Sequence, residues 1–165
     1  MRRLAVLLFA AVASVASTSA PLHAQTAHPD FTGTWNLDMT KLEPQAAAMI
    51  SKASLAITQD AKTLKQVQSM TTTMTGPQEI TVTYNLDGSD SKNTVSQMGQ
   101  SLEMTSNANW DGSTLVIKTK AEMQGQAIER TDRYSLDAAG KVLTIDTSAS
   151  MMGQSMQTKQ TFNKA

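Results

Sequence analysis

The chain contains no cysteine, so no disulfide can staple it and no thiolate is available as nucleophile or metal ligand. Histidine is nearly missing as well, with His23 and His28 the only two. A Ser–His triad, a Cys–His nucleophile and a zinc site built on His or Cys are therefore all excluded. Neither sign of charge is in excess, because 14 Lys and Arg stand against 14 Asp and Glu. That balance offers nothing to nucleic acid or to an anionic membrane surface. Long apolar runs are also lacking. The only one, "LAVLLFAAVASVA" at 4–16, falls short of the roughly 20 residues that a membrane-spanning helix needs.

That run instead has the three parts of a secretory signal peptide: Arg2 and Arg3 in front, the apolar stretch, then small residues ending "APLHA". Cleavage is expected after Ala24, because Pro21 would hinder a cut after Ala20. No cysteine follows the run, so a lipid-anchored lipoprotein is excluded. Removing 24 of 165 residues leaves 141, enough for one domain with one core. Residues 25–30 read as a flexible lead-in and 31–165 as the domain. The destination is expected to be periplasmic or extracellular, with no stable membrane insertion once the signal is gone.

After Pro29 the chain breaks into short alternating segments punctuated by turns, the all-β pattern. Two kinds of turn alternate. One is acidic or glycine-tipped, at Asp60-Ala61, Asp87-Gly88, Asp111-Gly112 and Ala139-Gly140. The other joins methionine, glycine and glutamine, in "MTGPQ" at 74–78, "MGQ" at 98–100, "MQGQ" at 123–126 and "MGQ" at 152–154. Gly76, Gly99, Gly125 and Gly153 lie 23, 26 and 28 residues apart, about one hairpin per interval. Successive hairpin turns fall at opposite ends of a sheet, so the Met-Gly tips share one end. About ten strands joined in this way form an antiparallel up-and-down meander, which is expected to close into a single β-barrel and so remove its edges. A two-sheet sandwich is the rival arrangement. One connection is long: residues 38–53, with a short helix expected over "EPQAAAMISK" and Pro44 in its first turn. It would cap the Met-Gly end as a lid carrying Met39, Met49 and Ile50.

Alternation assigns the inner face. Near the acidic turns it holds bulky residues, among them Trp35, Leu64, Leu115, Leu143 and Phe162. Toward the Met-Gly end it holds Thr119, Ala121, Thr147 and Ala149, with Met123 and Met151 at the rim. Large side chains fill a barrel and small ones leave space, so a packed floor and an open cavity are expected. Arg130 and Asp132 interrupt the apolar face of "QAIERTDRYSL". Either they neutralise each other or a glutamine such as Gln66 or Gln160, or Arg130 with Tyr134 receives the polar head of a ligand. A bulge would put Arg133 inside instead.

"DFTGTWNLD" at 30–38 carries a G-x-W signature, Gly33 and Trp35, and resembles the opening strand of the calycins, the lipocalins and fatty-acid-binding proteins. The whole domain is similar to small secreted bacterial lipocalin-like proteins with a "GTW" start and "WDG" and "DR(W/Y)" stretches. The resemblance implies a tryptophan plugging the closed end with a basic residue stacked over it, here Arg133 or Arg130. It also implies a lid after strand one. Fatty-acid-binding proteins hold a carboxylate through an Arg-x-Tyr near the last strand; "QSMQTKQTFNK" here has no arginine.

The 11 methionines leave three readings open: an adaptable apolar rim, a Cu(I) site, or plain filling of volume. "LDGSDSKN" lacks the spacing of a calcium loop, and Glu103 and Glu122 have no visible partner. The expectation is thus a non-enzymatic carrier of a small apolar or amphipathic molecule, without cofactor or nucleic acid. A Met-rich Cu(I)-binding envelope protein and a structural or partner-binding barrel are the alternatives. The oligomeric state is not legible.

Overall fold

The structure, a computed structural model, describes residues 28–74, 76–97, 100–123, 125–151 and 153–165. The expected signal peptide, residues 1–24, lies outside them, as do Met98, Gly99 and Met152 of the Met-Gly turns. Among the described residues no helix is long and apolar enough to cross a membrane.

Ten antiparallel strands follow one another along the chain: β1 Gly33–Leu37, β2 Ile50–Gln59, β3 Thr63–Thr72, β4 Gly76–Asn85, β5 Asp90–Gln97, β6 Gln100–Asp111, β7 Thr114–Met123, β8 Gln126–Leu136, β9 Val142–Met151 and β10 Gln154–Lys164. Each pairs with its sequence neighbour except β4 with β5, and β1 closes the meander onto β10 through Trp35↔Lys164, Asn36↔Asn163 and Leu37↔Phe162. The all-β barrel is thus nearly closed, as the turn pattern implies.

The seam at β4 and β5 departs from expectation. Asp87-Gly88 turns the chain, but no ladder follows it. Polar side chains stand in for the missing backbone bonds. The Asn93 amide accepts from Thr83 N–H at 2.8 Å and donates to Thr83 C=O at 2.9 Å. Ser91 Oγ takes the Asn85 N–H at 2.7 Å. An Asn side chain is itself an amide, so it satisfies a strand edge while keeping the two strands apart.

The packed floor is where the inner-face gradient places it. Phe31, Trp35, Leu64, Leu115, Ile117, Leu143 and Phe162 are all buried. Trp35 Nε1 donates to Phe31 C=O at 2.9 Å, so the plug buries no orphan donor. The basic group over the Trp35 ring is Lys164, with Nζ 5.1 Å from the centroid, and neither Arg133 nor Arg130. No bulge brings Arg133 inside; it stays on the outer face, 3.4 Å from Asp111. Gly33 explains the signature's spacing: its φ is +145°, and an added Cβ would lie 3.0 Å from Lys164 Cε. The lead-in expected to be flexible is tied down from His28 onward. His28 stacks on Trp110 with centroids 4.2 Å apart, and Gln59 Nε2 donates to Pro29 C=O at 3.0 Å.

The long connection is shorter than expected. A 3-10 turn (Met39–Lys41) and one helix, α1 (Pro44–Met49), precede β2, which begins at Ile50. An irregularity between Ile50 and Lys52 lets the chain join the ladder to β3 four residues early. Ile50 is therefore a wall residue, Met39 is half-buried against the core, and Met49 is exposed.

Asn93→Ala removes both Asn93–Thr83 bonds but leaves the Ser91–Asn85 bond, and should cost about 1 kcal/mol, since exposed hydrogen bonds contribute little each. Urea denaturation would read the loss, and an unchanged midpoint would mean that the Asn93 bonds contribute nothing to the seam.

Candidate functional site

Above the floor the barrel encloses a cavity of about 240 Å³ walled by β3 to β8. Its apolar side is Ile80, Val82, Val95, Leu102, Met104 and Ile128. Its polar side is Gln66, Gln68, Thr119, Arg130, Asp132 and the two phenols Tyr84 and Tyr134. A larger space, about 490 Å³, lies between the lid and β10, but no convergent buried polar set lines it.

The site's charge comes from two residues of β8 spaced by two, which alternation turns to the same side. Arg130 Nε lies 2.9 Å and 2.8 Å from the two oxygens of Asp132. Thr147 donates a further bond of 2.5 Å to Asp132 Oδ1. The pair is unequal in exposure: 3% for the Asp132 side chain and 48% for Arg130. Asp132 is thus buried inside the wall, whereas Arg130 is half-exposed and borders the cavity. Its cross-strand neighbours, Thr119 and Ala149, are small enough to leave that edge clear. Burial works against the guanidinium's charge, but the Asp132 carboxylate outweighs it and holds Arg130 more firmly protonated than usual.

Tyr134, Gln66 and Thr119 are paired off. Tyr134 Oη donates to Gln66 Oε1 at 2.8 Å across the barrel, and the Ser106 and Thr119 hydroxyls lie 2.8 Å apart. Burial, with the Asp132 charge adding to it, pushes Tyr84 up to about 12. Burial likewise raises Tyr134 well above the ordinary tyrosine value, with Tyr84 and Asp132 contributing. No buried side-chain nitrogen or oxygen among the described residues lacks a partner. Nor do the described residues bring three His, Asp or Glu together as a metal site.

Of the residues singled out from sequence, Thr119, Ala121, Arg130 and Tyr134 line the cavity. Thr147 and Ala149 do not line it; they lie beside Asp132 and Arg130 on the next strand. Met123 stands at the rim, 38% exposed, and the Met151 side chain lies outside the described residues. Met39 and Met49 belong to the lid and do not reach the cavity. The wall formed by β3 to β6 was missed as a site. Its signal was present in the alternation of Gln66 and Gln68, and of Ile80, Val82 and Tyr84, but nothing local says that these strands face β8. The methionines divide: Met70 and Met104 pack against the core, whereas Met49, Met74, Met123 and Met156 are exposed.

No protein family model and no curated protein sequence matches the chain. Solved structures do. The chain is similar to secretory abundant heat soluble protein 4 from Ramazzottius varieornatus, at 14% identity and TM-score 0.52, over 82% of this chain and 94% of that one. Another structure of a secretory abundant heat soluble protein from the same organism gives 13% and 0.53, over 81% and 94%. Zebrafish ileal bile acid-binding protein, solved with cholic acid, gives 13% and 0.52, over 82% and 98%. The fold is a calycin-type barrel. At these identities the likeness extends to architecture and no further, so any ligand has to be argued from the cavity itself.

Both tyrosines of the chain sit in this cavity wall. A phenol whose folded pKa is raised contributes stability that is intact below the unfolded value of about 10 and lost as pH climbs through the folded one. Alkaline titration should therefore show no phenolate absorbance near pH ~10. Ionisation should come as one cooperative step with loss of β circular dichroism. A gradual curve centred on the free tyrosine value would contradict the burial of the two phenols.

Proposed function

We propose that this protein is an exported, non-catalytic carrier of a small amphipathic molecule, with a hydrogen-bond-accepting, anionic head on Arg130 and an apolar body along β4 to β6. The observation that carries the reading is the division of Arg130's donors. Nε is committed to Asp132, the terminal nitrogens have no hydrogen-bond partner among the described residues, and the residue borders the cavity. A guanidinium edge of that kind matches a carboxylate bidentately. Asp132 keeps Arg130 in place and neutralises it while the cavity is empty, so the site is pre-organised without a free buried charge.

The body of the ligand meets Ile80, Val82, Val95, Leu102 and Met104. A volume of about 240 Å³ is below the usual range for drug-sized ligands, which favours a short or compact amphipath. Met104, unbranched and flexible, gives the wall some capacity to adjust. The similar barrel of the bile acid-binding protein, solved with an amphipathic acid, supports the same use of the fold. Export rests on the three-part N-terminal segment, Arg2 to Ala24.

Displacement of an apolar fluorescent dye by a medium-chain carboxylate and by the matched alcohol tests the head-group assignment. The carboxylate should bind more tightly, and Arg130→Gln should weaken it roughly 10- to 100-fold, the range of a charge-assisted hydrogen bond. The alcohol should change little. Equal loss for both ligands, or no dye binding at all, would remove the carrier reading.

A further inference from the structure

In β10 the burial pattern fails in one place. From Gln154 to Lys159 all six residues are exposed, on both faces of the strand. Met156, on the inner face opposite Ala149, is 62% exposed. The cause lies in β1. It is only five residues long, and it pairs with β10 from Phe162 to Lys164 alone. One more bond, Asp38 N–H to Thr161 C=O at 2.8 Å, ends the contact, and the chain departs into the lid. Over residues 154–160, β10 thus pairs with β9 on one side and has no ladder on the other among the described residues.

The lid does not cover this edge. α1 buries no residue, and a groove of about 490 Å³ separates Lys41, Leu42, Glu43 and Ala46 from Gln157–Thr161. A free edge offers N–H and C=O groups at alternate residues and is ordinarily blocked by proline, charge or a bulge. This one, "QSMQTKQ", has no proline, and its register with β9 runs one-to-one from Gln154 to Asn163. Its one charge, Lys159, faces outward beside Asp146 at 3.9 Å.

We infer that this edge is an interface, and that its occupant is the same edge of a second copy. Paired antiparallel about a two-fold axis at Gln157, the stretch is complementary to itself. Gln154 falls opposite Gln160, Ser155 opposite Lys159, Met156 opposite Thr158, and Gln157 opposite its own copy. No like charges meet, the exposed Met156 gains a neighbour, and the two sheets become continuous through β10. The span, 154–160, is the whole of the unpaired stretch, and the lid groove is the room into which the second strand enters. This pairing does not involve the cavity or Arg130, so it stands or falls independently of the carrier reading.

Sedimentation equilibrium of the purified chain over a concentration series should show a reversible monomer–dimer system. Hydrogen exchange should slow at amides within 154–160 as concentration rises, and not elsewhere. Gln157→Lys sets two like charges opposite each other on the axis and should weaken dimerisation roughly tenfold. Mixing Q157K with Q157E should restore it as a heterodimer, which also shows that both variants are folded. A monomer at every concentration overturns the inference. So does a dimer that Q157K leaves intact, or one whose protected amides lie outside β10. Protection of the edge in a monomer only when an unrelated extended peptide is added overturns self-pairing in favour of peptide capture.

Discussion

β1 is the shortest strand of the barrel, and most of what distinguishes this molecule follows from that. Its five residues pair with both β2 and β10, which is enough to close the wall around Trp35 and Phe162 at the floor. Above Leu37 the same wall has no first strand. The lid segment occupies that side without burying any residue of α1, and β10 is left half-paired. A closed, packed floor, a loosely capped mouth and an open lateral edge are three consequences of one strand ending early.

The interior shows how an apolar barrel can hold charge. Arg130 and Asp132 come from one strand, so their proximity needs no long-range folding accident. Thr147 supplies the third member from β9. A buried carboxylate alone would be costly, and a buried guanidinium alone would be costly as well. Together they present a single donor edge to the cavity while the low-dielectric wall keeps both phenols protonated. The same region explains why the cavity is where it is. Thr119 and Ala121 are too small to fill the space that leucine and isoleucine fill one layer below.

The seam between β4 and β5 and the stack at the floor illustrate where local reading stops. "DGSD" after a strand reads as a hairpin turn, and the chain does turn there. Whether the two arms pair is decided by Asn93 and Ser91, whose side chains reach across and take the main-chain bonds of Thr83 and Asn85. Likewise the G-x-W signature implies a basic side chain over the tryptophan. Arg133 and Arg130 were the candidates by position along the face, yet the residue is Lys164, brought there by the β1–β10 register.

By itself the sequence determined the count of about ten strands, the alternation of turns, the floor-to-mouth gradient and the placing of Arg130 and Asp132 on one inner face. All of these rest on period-two geometry or on neighbours one or two residues apart, which a linear pattern records directly. Tertiary structure alone decided which strands face one another across the cavity, which cation covers Trp35, where β4 and β5 part, and that β10 keeps an unpaired edge. Those depend on register and on the length of β1 relative to its partners. Both are properties of the closed barrel, in which residues far apart in the chain are brought to one height by the tilt and stagger of the strands.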